Sequence, residues 1–67
     1  MYIIKIQGTN KIPDYVQIRD DGFNLIAYFK VQSPRRALEK CGLAGNADAI
    51  MEIVKNLPYG RIRKLDL

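Results

Sequence analysis

Sixty-seven residues and 7.7 kDa confine the chain to a single domain, 1–67, that buries only about 60% of its unfolded surface and so has a thin core. At 48% apolar and 27% charged it is too hydrophobic for a disordered segment. With no histidine, one cysteine (Cys41), one serine (Ser33) and one threonine (Thr9), it can form neither a Ser–His nor a Cys–His nucleophile pair, and it offers no recognisable zinc ligand set.

Residues 2–7 (Tyr-Ile-Ile-Lys-Ile-Gln) are rich in β-branched and aromatic side chains and are expected as a strand. Tyr2, Ile4 and Ile6 then share one face, with Ile3, Lys5 and Gln7 on the other. Gly8-Thr9-Asn10 ends that strand, and Pro13 forbids an uninterrupted central strand before residue 14. Residues 15–19 alternate, with Val16 and Ile18 inward and Tyr15, Gln17 and Arg19 outward. Asp20-Asp21-Gly22 is a tight hairpin signal in which the glycine supplies positive φ. Residues 23–31 form a third strand with Leu25, Ala27, Phe29 and Val31 toward the core and Ile26, Tyr28 and Lys30 away from it.

The apolar period then lengthens from two to about 3.6. Ser33 is placed as an N-cap and Pro34 at the first helical position. Pro34, Ala37, Leu38 and Cys41 line one face of a helix that Gly42 stops. A second helix is expected after Asn46, with Asp48 in its first turn, Lys55 in its last, and Ala47, Ile50, Ile53, Val54 and Leu57 as its buried stripe. Pro58 and Gly60 end it, and residues 61–66 are either a short charged edge strand or a tail. The fold class is therefore α+β: a three- or four-stranded antiparallel sheet in β-β-β-α-α-β order, with two short helices packed on one face.

Eleven basic and seven acidic side chains give a net charge of +4, concentrated in the second half, where seven basic groups face four acidic ones. That bias suits nucleic acid or an acidic protein, although it also simply keeps a small domain in solution. Arg35 and Arg36 oppose the dipole of the first helix, which suggests an anion pocket for phosphate, assisted by Arg61, Arg63 and Lys64. The sheet face away from the helices is expected to carry Ile3, Lys5, Tyr15, Gln17, Arg19, Ile26, Tyr28 and Lys30. There Tyr15, Arg19, Tyr28 and Lys30 could add base stacking and charge, or the same face could serve a homodimer or another protein. The helix pair has the outline of a helix–turn–helix, but the acidic first turn of its second helix and its wide apolar stripe argue against DNA reading. Gly42 and Gly45 lack the lysine of a phosphate-binding loop, Asp20 and Asp21 shape a turn, and Cys41 is a small hydrophobe at a helix end that disfavours its thiolate.

The expectation from sequence is thus a non-enzymatic binding module without cofactor or metal, contacting RNA or DNA through its basic clusters, with a protein-interaction or homodimerisation module as the alternative. No apolar segment is long enough for a membrane span, the N-terminal apolar run is too short for a signal peptide, and an unpaired cysteine fits the cytoplasm.

Overall fold

The alternation of the first three apolar segments is realised as strands in the computed structural model, which describes residues 1–65. They are β1 (Tyr2–Ile6), β2 (Tyr15–Arg19) and β3 (Leu25–Lys30). The helical period gives α1 (Arg35–Lys40) and α2 (Ala47–Asn56), joined by a tight helical turn at Ala44–Asn46, and β4 (Ile62–Lys64) follows. Asp66, the last residue of the segment expected as a strand or tail, lies outside the described residues.

All four strands are antiparallel to their neighbours, in the order β3-β2-β1-β4. One face of the sheet is covered by the helices, and the core lies between: Ile3, Val16, Ile18, Ala27 and Phe29 from the strands, Leu38 from α1, Leu43 from the connection, Ile50, Val54 and Leu57 from or beside α2, and Leu65 after β4. The dry layer therefore holds Val16, Ile18, Ala27 and Phe29, as the alternation implies.

The phase of β1 is the reverse of the expected one. Ile3 is fully buried opposite Ile18, and Lys5 lies on the same side opposite Val16, so neither belongs to the open face. Tyr2, Ile4 and Ile6 occupy that face instead, beside Arg19, Gln17 and Tyr15. Lys5 is tolerated on the inner side because its stem covers apolar surface while Nζ donates to the carbonyl of Val54 near the end of α2, 3.1 Å away. A cation at that end also complements the helix dipole.

A second correction concerns the start of β3. Ile18 opposes Ala27 but Arg19 opposes Leu25, so the register slips there and Ile26 is the extra residue of a bulge. Leu25 is consequently half exposed rather than in the core. The hairpin also differs in its turn. Phe23, not Gly22, takes the left-handed conformation, with φ 66°. Asp20 fixes it by accepting from the backbone N–H groups of Asn24 (side chain, 2.8 Å) and Phe23 (carbonyl, 2.9 Å).

Two local signals at α1 come out differently. Ser33 makes no side-chain cap; its backbone N–H closes a turn onto the Lys30 carbonyl at 3.0 Å, and Pro34 is already helical. At the other end Gly42 has φ 79°, as the stop signal requires. The N–H groups of Leu43 and Gly42 reach back to the carbonyls of Leu38 and Glu39, and the Leu43 and Leu38 side chains meet in the core. Cys41 is half-buried against that core, its thiol donating toward the Leu38 carbonyl.

Candidate interaction surface

The residues on the open side of the sheet follow from the strand register. Reading across the four strands, Leu25, Arg19, Tyr2 and Lys64 form one row, and Tyr28, Gln17, Ile4 and Ile62 a second. Lys30, Tyr15 and Ile6 form a third. No helix packs on this side. Leu25, Tyr28 and Ile62 are each at least 50% exposed and Ile6 is 38% exposed, so the face presents an apolar centre to solvent. None of these row positions is Asp or Glu.

Aromatic contacts stiffen two parts of this face. Tyr15 and Tyr28 are diagonal neighbours on β2 and β3, and their rings stack with centroids 4.6 Å apart and planes 8° from parallel. Each ring thereby covers one face of the other. At the opposite end Phe23 packs edge-on against Tyr2 at 5.9 Å, and the Arg19 guanidinium lies 4.8 Å from the Phe23 ring centre. Arg19 is held further by donating to Gln17 Oε1 and to the Phe23 carbonyl. These contacts compensate for the left-handed backbone at Phe23, a conformation costly for a bulky residue.

Where β3 ends the sheet, its edge faces α1 across a groove of about 490 Å³. Tyr15 and Tyr28 close it on one side and Ala37, Arg36 and Lys40 on the other, with Ile26 and Lys30 along the strand. Arg36 and Lys40 are one helical turn apart and so share a face of α1. Lys30, Arg36 and Lys40 thus bring three cations to a groove whose lining, among the described residues, contains no carboxylate.

The basic residues singled out in the sequence are not brought together into one cluster. Arg36, Tyr15, Tyr28 and Lys30 meet at the β3 groove. Arg35 turns to the other side of α1, into a shallow depression lined also by Glu39, Ala47 and Asp48. Arg61, Arg63 and Lys64 belong to or precede β4, at the opposite edge of the sheet from β3. Arg63 pairs with Ile3 on the helix side, while Lys64 pairs with Tyr2 on the open side. The α1 helix has only six residues, and its two arginines diverge. They do not form a shared phosphate fork. Lys40 was missed in the sequence, although its i, i+4 spacing from Arg36 is a legible signal.

Asp14 and Asp21 are committed elsewhere. The Asp14 carboxylate accepts from the Tyr59 hydroxyl at 2.6 Å and from the Gly8 N–H at 2.7 Å. These two bonds, with help from the Lys5 charge, hold its pKa below the ordinary value, and the Tyr59 hydroxyl is raised by the same contact. Lys5 Nζ sits 4.8 Å from the Tyr59 ring centre. Asp21 is held low by the amino group of Met1, which donates to its carboxylate. That contact is the one ion pair among the described residues, so Lys30, Arg36 and Lys40 have no carboxylate partner there. Among the described residues no three of His, Cys, Asp and Glu gather as a metal site, and no helix is long and apolar enough to cross a membrane.

No family model, curated protein or solved structure matches this chain.

Proposed function

We propose that this chain is a small non-catalytic protein-interaction module whose open sheet face and adjoining β3 groove receive an acidic protein partner. The observation that carries this reading is the composition of that continuous surface: aliphatic and tyrosine side chains at its centre, cations at its margins, and, among the described residues, no carboxylate. Apolar centres with polar rims are the usual anatomy of protein interfaces. The sign of the rim disfavours a second copy of the same face, because stacking two such sheets sets Arg19, Lys30 and Lys64 against like charges.

Nucleic acid is the second reading, and the groove is what favours it: Tyr28 beside Lys30, Arg36 and Lys40 offers a track for a phosphate backbone with one stacked base. Two features weigh against it. The basic clusters stand at opposite edges of the sheet, and the centre of the face is aliphatic, with Ile4, Ile6 and Ile62 where base-stacking rings are wanted.

Amide NMR with three additions tests the proposal. A glutamate- and leucine-rich peptide is expected to shift the amides of β1, β2 and β3 on the open face, in a salt-sensitive manner. Salt-sensitive shifts with oligouridylate and none with the peptide would transfer the surface to nucleic acid. Shifts that track the concentration of the protein alone would transfer it to a homodimer.

A further inference from the structure

β3 is an edge strand, and an edge strand carries backbone groups without a partner on its outer side. Which groups these are follows from the ladder. The Val31 N–H donates to the Asp14 carbonyl at 3.0 Å, so the directly opposed pairs 14–31, 16–29 and 18–27 are the ones that exchange hydrogen bonds across β2 and β3. The intervening residues Tyr28 and Lys30 then turn their N–H and carbonyl groups outward. The Lys30 carbonyl is taken by Ser33, which leaves the Tyr28 N–H and carbonyl and the Lys30 N–H facing the groove.

The side chains around these groups have alternating chemistry. On the open side of the sheet the edge is flanked by the Tyr28 ring, stacked on Tyr15, and by Lys30. On the helix side it is flanked by Arg36, Ala37 and Lys40 across the groove. A strand laid along β3 projects successive side chains to opposite sides. Its one set meets the Tyr28 ring with Lys30 beside it, and its other set meets two cations on α1.

We infer that the partner docks by adding an extended acidic segment to the β3 edge, its main chain pairing with Tyr28 and Lys30, its acidic side chains toward Arg36 and Lys40, and its alternate apolar side chains over Tyr28. This rests on the reading of the chain as a protein-interaction module and specifies the mode at the groove: strand addition to the β3 edge, from which the rest of the partner reaches the open face. Main-chain pairing supplies affinity without demanding one sequence, and the two cations select acid in alternate positions. The bulge at Ile26 bends the strand where the outward groups begin, and so limits the added segment to the Tyr28–Lys30 end.

The probe is an acetylated octapeptide of alternating glutamate and valine, followed by amide NMR and amide hydrogen exchange of the full chain. Shifts at Tyr28 and Lys30 with slowed exchange of those two amides are expected. Arg36→Gln and Lys40→Gln should each weaken binding about tenfold, as loss of a charge-assisted contact does. Circular dichroism of both exposed-site variants checks that the fold is kept. Two further peptides carry N-methyl groups on alternate residues, in one frame or the other, and one frame should abolish binding while the other retains it. Equal binding of all three peptides, with shifts on Ile4 and Ile62, overturns strand addition and leaves the interaction module standing. Failure of the unmodified peptide to bind, with or without binding of oligouridylate, overturns both.

Discussion

The Tyr59 hydroxyl donates to the Asp14 carboxylate at 2.6 Å, joining two residues 45 positions apart. The contact closes the segment between α2 and β4 onto the loop between β1 and β2. The Gly60 N–H, donating to the Lys5 carbonyl at 2.8 Å, reinforces it. The hydrogen bond from Tyr59 is the largest cause of the lowered Asp14 pKa, and the same bond raises Tyr59.

Linkage gives the sign of the pH dependence. Asp14 titrates below its ordinary value of 3.8 in the folded chain, so its contribution is present above that value and is lost as the pH falls through the folded pKa. Tyr59 titrates above its ordinary value of 10.0, so its contribution is present below that value and is lost as the pH rises through the folded pKa. The wild-type chain is expected to melt higher than Tyr59→Phe across the window between these limits, with the gap narrowing at both acid and alkaline ends. Thermal melts of the two chains across that range check this, and a gap independent of pH would refute it.

Gly8 is predicted to be irreplaceable for a reason of space. A Cβ there would lie 2.0 Å from the Ile12 carbonyl oxygen and within 2.6 Å of the Pro13 carbonyl, all of it backbone that cannot step aside. Gly8→Ala should cost at least about 1–3 kcal/mol in urea unfolding, the range for overpacking. Gly45→Ala, where a Cβ meets nothing within 4 Å and the backbone is not left-handed, should be neutral or slightly stabilising. Equal losses at the two sites would contradict this account.

The observed phase of β1 makes a paired prediction. Ile3 is fully buried and Ile4 faces the open side, so Ile3→Val should cost about 0.5–1.5 kcal/mol and Ile4→Val much less. The mild substitution is chosen because Ile3→Ala, at about 2–5 kcal/mol, could unfold a domain this small. Urea midpoints give the comparison, and the reverse order of losses would restore the phase expected from sequence.

That phase shows where the sequence stops being legible. In β2 a single register satisfies the pattern, since only Val16 and Ile18 are aliphatic and their neighbours Tyr15, Gln17 and Arg19 all tolerate water. In β1, Tyr2, Ile3, Ile4 and Ile6 place apolar side chains on both faces, and the one charge, Lys5, points to the wrong one. Its Nζ escapes to the end of α2, a destination fixed by tertiary packing alone. The Leu25 misplacement has a similar origin, because a bulge shifts the alternation by one residue and leaves no mark in composition. The helices were easier to read, with Pro34, Gly42 and the apolar stripe of α2 each setting a boundary or a face. Of the site, the tyrosines and cations of β2 and β3 were legible. The convergence of Arg36 and Lys40 on β3 was not, since it depends on which edge α1 covers.

The stacked pair Tyr15 and Tyr28 should show measurable coupling. A double-mutant cycle to alanine is expected to give about 0.5–1.5 kcal/mol beyond the sum of the single losses, as for other well-placed aromatic pairs. Coupling near zero would mean that the rings are merely adjacent, and would free both of their faces for a ligand.

The strand order β3-β2-β1-β4 makes β1 an inner strand, closed on its second side by β4, which follows it by more than fifty residues. A nascent chain can therefore zip the first three strands together as soon as they emerge, using contacts between near neighbours. The remaining seam joins Tyr2 to Lys64 and must wait until Lys64 itself has been made. That late, long-range closure is the slow event expected in folding. Until it happens the five-residue, largely apolar edge of β1 stands open to chance pairing with other chains where the short, cationic β4 would cover it, which makes crowding during synthesis the condition under which this protein is most at risk of aggregation.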